Sequence, residues 1–520
     1  MPLTRQDPSS AGRRGRRRAT SGRKVLRWSA TGVALVILGT AGAGYLYYEH
    51  LNSNIEKGER SSGDSKAQRT EPNAAGQTPL NILLIGSDSR ASDKNVALGG
   101  SSDNRDSPPL GDVQMLVHLS ADRKNANVVT IPRDTRVDIP ECTDPETKKT
   151  YPATNGIINE SLGRGGAGCT LATWENLTGV YVDHWMTIDF AGVVSMADAI
   201  GGVEVCVKQN VWDRPLPGMR GGSGLKLKAG TRKVQGEQAL QWLRTRHAWG
   251  SDLLRARAQH MYMNSMIRTL KEQSIFSDTG RLMDLAESAT KSLTVSEEIG
   301  TVKKLYGLGM QLKTVPTNRI TMTTMPNVQD PLDENHVVPD GENAEQVWRM
   351  LRDDVPFDAN GKDKKKSGEK DKDGKVSKDP AAPDAEIAVQ VRNGTGSDTQ
   401  AAATGRAGAV AQQLVGEGFT QAVADPSAAL SRERTVVSYP SADLEGDAQQ
   451  VAKSLGIPLT SVKRSTDVSG ITLVVGADWR EGTAYPEEKE PEAGDIPDNA
   501  DAINGSDKNQ CMEVYEPYRW

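Results

Sequence analysis

Residues 80–90 read LNILLIGSDSR. An apolar run that closes on a glycine is a buried strand running into a loop. A loop rich in Gly, Ser and Asp follows over 91–109, and then two more apolar stretches, VQMLVHL at 113–119 and NVVTIP at 127–132. Beyond them the periodicity changes repeatedly. Helix is expected over 170–177, strand over 183–190, helix over 190–199 and strand over 202–207. A Pro- and Gly-containing loop spans 208–231, helices follow at 236–245 and 252–270 with more helix to about 312, and 320–325 reads as a strand. Strands alternating with helices in this way argue for an α/β core.

Outward toward residue 1, the stretch 28–48 is apolar and free of charge. As a helix it reaches about 30 Å, the thickness of a bilayer core. The preceding 27 residues carry Arg13, Arg14, Arg16, Arg17, Arg18, Arg23, Lys24 and Arg27. A basic flank of this kind stays cytoplasmic, which puts the rest of the chain outside. Tyr45, Tyr47 and Tyr48 fit an interfacial aromatic belt. Ala41-Gly42-Ala43 also resembles a signal-peptide cleavage site; the long apolar run and the bulky tyrosines favour an uncleaved anchor. Residues 49–78 are polar without apolar periodicity and read as a flexible stalk.

Outward in the other direction, 358–385 is dominated by Lys, Asp and Gly and reads as a charged linker. A small α/β unit is expected over 386–480, and 481–520 is acidic, Pro-rich and expected to be disordered. The 520 residues hold more than one domain, and a net charge of −5 gives no global basic field for nucleic acid. The four cysteines, Cys142, Cys169, Cys206 and Cys511, show no zinc-like spacing. Loop length favours Cys142 with Cys169 as a disulfide, and a spare cysteine would be free.

Charged residues gather at the ends of the apolar strands. Asp88 and Arg90 follow the first, Asp112 precedes the second, and Arg133 and Asp134 follow the third. Ligands of open α/β sheets bind at strand ends, although Asp is also an ordinary turn former. A denser set lies in ALQWLRTRHAWGSDLLRARAQ, residues 239–259. There Asp252, Arg255 and Gln259 share a helix face, while Arg257 points elsewhere to the surface. A solvated, ion-paired face would look similar, but Arg244 and Arg246 sit between tryptophans. Arginine tolerates half-buried surroundings when it has an anion to fork onto, and a pyrophosphate supplies one. Asp88 and Asp112 are candidate ligands for Mg2+ (or Mn2+), a hard cation that takes carboxylate and phosphate oxygens.

The ordered set NILLIGSDSR, GDVQMLVHLSAD, TIPRDTRVDIP, LTGVYVDHWMTIDFAGVVSMADAIGGVEV and GEQALQWLRTRHAWGSDLLRARAQ resembles the LytR-CpsA-Psr family in its actinobacterial form. VQVRNGTG and the later EGF resemble a LytR C-terminal domain. The resemblance implies an αβα sandwich, here preceded by one transmembrane helix and followed by the small α/β domain. The corresponding segments are a tail at 1–27, the span at 28–48, the stalk at 49–78, the core at 79–357, the linker at 358–385, the C-terminal domain at 386–480 and the tail at 481–520. It also implies a phosphotransferase that moves a glycopolymer, such as teichoic acid or capsule, from undecaprenyl pyrophosphate to peptidoglycan, with pyrophosphatase activity when water attacks. A long hydrophobic pocket would take the polyprenyl chain. Asp112, Arg133, Arg244 and Arg246 then fall on catalytic positions. Arg90, Arg105, Arg133, Arg244, Arg246, Arg255 and Gln259 would bind the pyrophosphate. Asp88 and Asp112 would hold the metal, and Asp134 and Asp252 are candidates for the base. The expected partners are the lipid-linked polymer, peptidoglycan and the cell membrane.

Two positions depart from the family pattern. Leu110 and Gly111 stand before Asp112 where a basic residue is usual, the nearest upstream arginine being Arg105. Ile157 in GIINESL stands where another basic residue is usual. These gaps leave open a non-catalytic wall-binding scaffold, and the family's name keeps a transcriptional attenuator as a further alternative. An arm of 27 residues without a folded DNA-binding motif argues against the latter.

Overall fold

The computed structural model describes residues 20–520 apart from 71, 74, 89–92, 94, 96, 97, 99–106, 273–278, 362–376, 378, 397–400, 428, 433, 466 and 487–490. Two compact units emerge: Met1–Gly361 together with Pro491–Trp520, and Lys362–Glu490.

The first unit is built on one mixed sheet. Its strands are β1 (Glu56–Gly58), β2 (Leu80–Ser87), β3 (Gly111–Leu119), β4 (Ala126–Ile131), β5 (His184–Ile188), β6 (Leu293–Ser296), β7 (Ile320–Thr324) and β8 (Ile503–Asn504), in the order β1-β6-β5-β2-β3-β4-β7-β8. Its helices are α1 (Thr20–Asn54), α2 (Ser161–Thr178), α3 (Phe190–Ala199), α4 (Gly236–Arg244), α5 (Asp252–Glu272), α6 (Thr279–Ser292), α7 (Val302–Thr314) and α8 (Gly341–Arg352). Strand residues alternate between two apolar layers, as the period of two requires. Leu83, Ile85, Leu116, Val129 and Ile131 meet Trp174 of α2 and Trp348 of α8. On the opposite face Met115, Val117 and Val128 meet Met263 and Ile267 of α5 and Leu312 of α7. The result is the expected αβα sandwich. Leu83 and Leu116 are completely buried, each contributing about 1.5–3 kcal/mol. The helical run expected to reach about 312 is broken by β6, which pairs antiparallel with β5 and parallel with β1.

α1 holds a segment long and apolar enough to cross a membrane, Arg27–Asn54. The helix ends against the fold. Leu51 and Ile55 are buried, and Asn52 Oδ1 accepts a hydrogen bond from the Val302 N–H at the start of α7. The flexible stalk expected over 49–78 is therefore corrected for its first part. β1 lies on the sheet edge, and Arg60 Nη1 donates to the buried carboxylate of Glu175 at 2.9 Å. One buried isoleucine and a three-residue strand leave no periodic signal.

The disordered tail expected over 481–520 is corrected as well. Ala500, Ile503, Met512, Val514 and Tyr518 are buried, and β8 closes the sheet antiparallel to β7. Cys511 is bonded to Cys206, so it is not free; Cys142 and Cys169 form the other disulfide. Acidic and proline residues here punctuate single apolar anchors, which pack on surfaces made by residues far away in sequence.

The second unit carries a five-stranded sheet. Ala388–Asn393 lies between Gln421–Ala424 and Ile471–Val475, parallel to both, and Val436–Tyr439 and Val462–Arg464 complete the other side. Helices Arg406–Gly416 and Glu445–Ser454 cover it, around Val391, Leu414, Phe419, Leu473 and Trp479. Residues 362–376 of the charged linker lie outside the described residues.

Candidate active site

The strand order brings four chain ends to one edge of the first sheet. β3 runs antiparallel to β2, so Ser87 pairs with Gly111. β4 runs antiparallel to β3, which sets Ile131 beside Gln114 and delivers Arg133 next to Asp112. β5 runs parallel to β2 and ends at Ile188 beside Gly86. A cavity of about 300 Å³ opens there, floored by Gly86, Ser87, Asp112 and Arg133 and walled by α3, α4 and α5.

Gln114 fixes the start of β3. It is buried, its Nε2 donates to Gly111 O and Ile158 O, and its Oε1 accepts from Trp174 Nε1 at 2.7 Å. Arg133 Nη1 donates to Asp112 Oδ1 at 3.0 Å, and its Nε faces Asp134 Oδ2 at 3.4 Å. Burial alone would weaken the Arg133 cation. The carboxylates of Asp112, Asp134 and Asp252 outweigh it and hold the guanidinium above its ordinary value. On α5, Asp252 in the first turn accepts from Arg255 Nη2 at 2.9 Å, a favourable place for an anion. Burial pushes Arg255 below its ordinary value, with Asp252 opposing. Gln259, also on this face, lines the cavity and donates through Nε2 to Leu243 O, tying α5 to α4.

α4 ends at Arg244, whose guanidinium lies over the Phe190 ring at 4.7 Å and donates to Leu98 O. Arg246 lines the same cavity on the turn after α4. Among the described residues its guanidinium has no hydrogen-bond or ion-pair partner. Arg133, Arg244, Arg246 and Arg255 thus converge on one cavity with Asp112 and Gln259.

The other expected residues fall elsewhere. Arg90 and Arg105 lie outside the described residues. Asp88 is buried and not among the cavity-lining residues; its Oδ1 accepts from the Leu110 N–H while its own N–H donates to Leu110 O. Leu110, a departure from the family pattern, therefore pairs with Asp88 by backbone. Ile157 is half-buried and pairs with Arg136 across a two-stranded ribbon. Asp134 and Asp252 flank the arginines without lining the cavity. Arg257 pairs with Asp501 and Gln510, away from the cavity.

Of the expected metal pair, Asp112 lines the cavity and Asp88 does not. Among the described residues no group of three or more His, Cys, Asp and Glu side chains is placed to hold a metal. Asp112 alone of the two faces inward, which fits a cation held by one carboxylate and completed by phosphate oxygens, as Mg2+ tolerates.

Sequence reasoning missed Asp189, Phe190, Asp213, Ser223 and His247, all lining residues. Asp189 had a signal, an aspartate opening an apolar helical run. It caps α3, its Oδ1 accepting from the Gly192 N–H. Asp213 and Ser223 come from a loop with no periodic signal. Gly222 there has φ +133°, and a Cβ would sit 3.0 Å from Asp213 O.

A model of the LytR_cpsA_psr family matches residues 44–353, and one described as LytR cell envelope-related transcriptional attenuator matches 386–479. The chain is 27% identical to the cell wall biosynthesis protein LcpA of Corynebacterium glutamicum, over 59% of this chain and 60% of that protein. It is 25% identical to the polyisoprenyl-teichoic acid–peptidoglycan teichoic acid transferase TagV of Bacillus subtilis, over 64% of this chain and 80% of the relative. A LytR-Csp2A-Psr enzyme structure from Actinomyces oris covers 57% of this chain and 95% of its own, at 17% identity and a TM-score of 0.42. The chain thus spans less than two thirds of the length of LcpA.

Proposed function

This chain belongs to the LytR-CpsA-Psr family, and on that premise we propose that it is a phosphotransferase moving a glycopolymer from undecaprenyl pyrophosphate to peptidoglycan. The observation that carries the reading is the convergence of Arg133, Arg244, Arg246 and Arg255 on one cavity, with Arg246 unpaired among the described residues. Arg255 is buried and Arg133 and Arg244 are half-buried, and gathering these cations with the exposed Arg246 is costly without an anion of matching charge. Two phosphates supply it, and each fork adds geometric selectivity.

In this mechanism the arginines bind the pyrophosphate and neutralise charge that develops on the departing polyprenyl phosphate. A hydroxyl of the acceptor attacks the sugar-proximal phosphorus in line. That bond forms as the bond to the bridging oxygen breaks, and the proton passes to a carboxylate, Asp134 or Asp252, both of which act on the Arg133 charge. Mg2+ or Mn2+ held by Asp112 would supply further charge neutralisation. Water in place of the acceptor makes the reaction a hydrolysis. Support for action outside the membrane comes from the candidate span Arg27–Asn54 with its basic flank, and from two disulfides, which persist in oxidising surroundings.

Turnover of a polyprenyl pyrophosphate by the full chain, with Arg133→Ala and Asp112→Ala beside it, tests the assignment. Both variants should collapse turnover; wild-type rates in both would remove the assignment.

A further inference from the structure

The segment that returns from the second unit does more than fill core. Between Cys511 and Trp520 it touches both loops that carry cavity walls. Tyr515 N–H donates to Ala248 O at 2.8 Å, and the Tyr518 ring lies nearly parallel to that of His247, centroids 6.3 Å apart. Those contacts fall on the turn Arg246–Gly250, whose first residue is the unpaired arginine. On the other loop, Arg519 bridges to Val211, and Trp520 Nε1 donates to Val211 O at 2.9 Å. Val211 leads into Asp213, which with Ser223 lines the cavity. The two loops are joined by Ser223 Oγ and Thr245 Oγ1 at 2.6 Å. The segment is itself pinned at its start by the Cys206–Cys511 bond and by Met512 N–H donating to Cys206 O.

We infer that Cys511–Trp520 is a positioning strap of the pyrophosphate site: Tyr518 and Tyr515 set the turn that aims Arg246 into the cavity, and the Cys206–Cys511 bond holds the strap in register. The inference rests on the reading of the site as a pyrophosphate site. Tyr518 is a positioning residue, since it touches His247 and Met219 and is not among the cavity-lining residues. Without it, the turn after α4 has its own backbone bonds from Trp249 and Gly250 to Arg246 O. The turn therefore persists, but its placement over the cavity is no longer fixed. An arginine fork displaced by about 1 Å forfeits most of its value to a bidentate anion.

The test is calorimetric titration of the full, detergent-solubilised chain with inorganic pyrophosphate, beside its thermal unfolding curve. Tyr518→Ala should bind about tenfold more weakly, and Tyr518→Phe, which keeps the ring against His247, should stay within about twofold of wild type. A strap that only stabilises would lower the melting temperature of Tyr518→Ala and the fraction of sites that bind, at unchanged affinity; that result overturns the inference. If Tyr518→Ala does not fold, the Cys206→Ser/Cys511→Ser double variant decides. It keeps both tyrosines but frees the start of the strap, and it should weaken affinity severalfold; unchanged affinity overturns the inference. Pyrophosphate binding by wild type without turnover of the polyprenyl substrate would reject the proposed reaction while leaving the strap standing. Absence of pyrophosphate binding by wild type rejects both.

Discussion

The two units use arginine in opposite ways. In the second, Arg406 is buried and spends its fork inward, donating to Trp479 O, Gly482 O and Glu481 O. Arg480 donates to Thr395 O and Ala401 O. Both guanidiniums act as clamps on backbone carbonyls. In the first unit the cavity arginines meet carboxylates, an aromatic face with one backbone carbonyl for Arg244 or, for Arg246, no partner among the described residues. A clamp is complete without a ligand. A cluster of like charges around a cavity is complete only with one, and that contrast separates the second unit from the candidate chemistry.

The largest effect that would sharpen the contrast is Arg133→Ala, expected to cost roughly 100- to 1000-fold in turnover, the size of losing one preorganised transition-state donor. Initial rates on a polyprenyl pyrophosphate measure it, and a loss below tenfold would break the contrast. Next comes Arg406→Ala, which removes the fork from the buried Trp479 carbonyl and from the Glu481 and Gly482 carbonyls. The second unit should lose about 2–3 kcal/mol, seen by calorimetry as a lowered transition, with turnover of the pyrophosphate unaltered. Arg246→Ala should reverse that pattern: pyrophosphate affinity falls about tenfold, while an exposed side chain leaves stability within about 0.5 kcal/mol.

The smallest effect concerns protons. All six histidines lie in the first unit. His260 is fully buried against Thr130 and pushed down to about 3, first by burial and then by the charge of Arg257. The unfolded chain takes up this proton below about 6.5 and the folded chain does not. The His260 contribution is therefore undiminished above that value and declines as pH falls. The first unit should lose roughly 0.8 kcal/mol at pH 6 and then about 1.4 kcal/mol per pH unit down toward 3. Unfolding midpoints between pH 7 and 5 measure the slope, and His260→Asn should flatten it.

The core of this organisation was legible where local chemistry decides it. LNILLIG announces β2 by its apolar run, and the shared face of Asp252, Arg255 and Gln259 follows from helical spacing alone. RTRH between tryptophans marked the cationic wall. Asp213, Ser223 and His247 were not legible, because a loop's contribution to a cavity depends on where other elements place it. Tyr518 and Cys511 were hidden for the same reason. They pack against residues about 300 positions earlier, and an acidic, Pro-containing context looks the same whether or not an anchor finds its groove. Asp88 shows how a strand-end aspartate can also serve the backbone: its Oδ1 accepts from the Leu110 N–H.

The second unit is, topologically, a guest inserted into the sheet-bearing host between Gly361 and Pro491. Its insertion sets a timetable. Cys142 can meet Cys169 after 27 further residues, but Cys206 must wait for 305. At ordinary synthesis speeds of roughly 5–20 residues per second that is a delay of about 15–60 s. For the rest of it, once they are made, β7 lacks its outer neighbour and the Arg246 turn lacks its strap. The host can bury most of its sheet early, yet its binding site is finished only after the whole guest has been made. A chain stalled inside the guest would carry a nearly folded host with an unfastened site and one unpaired thiol.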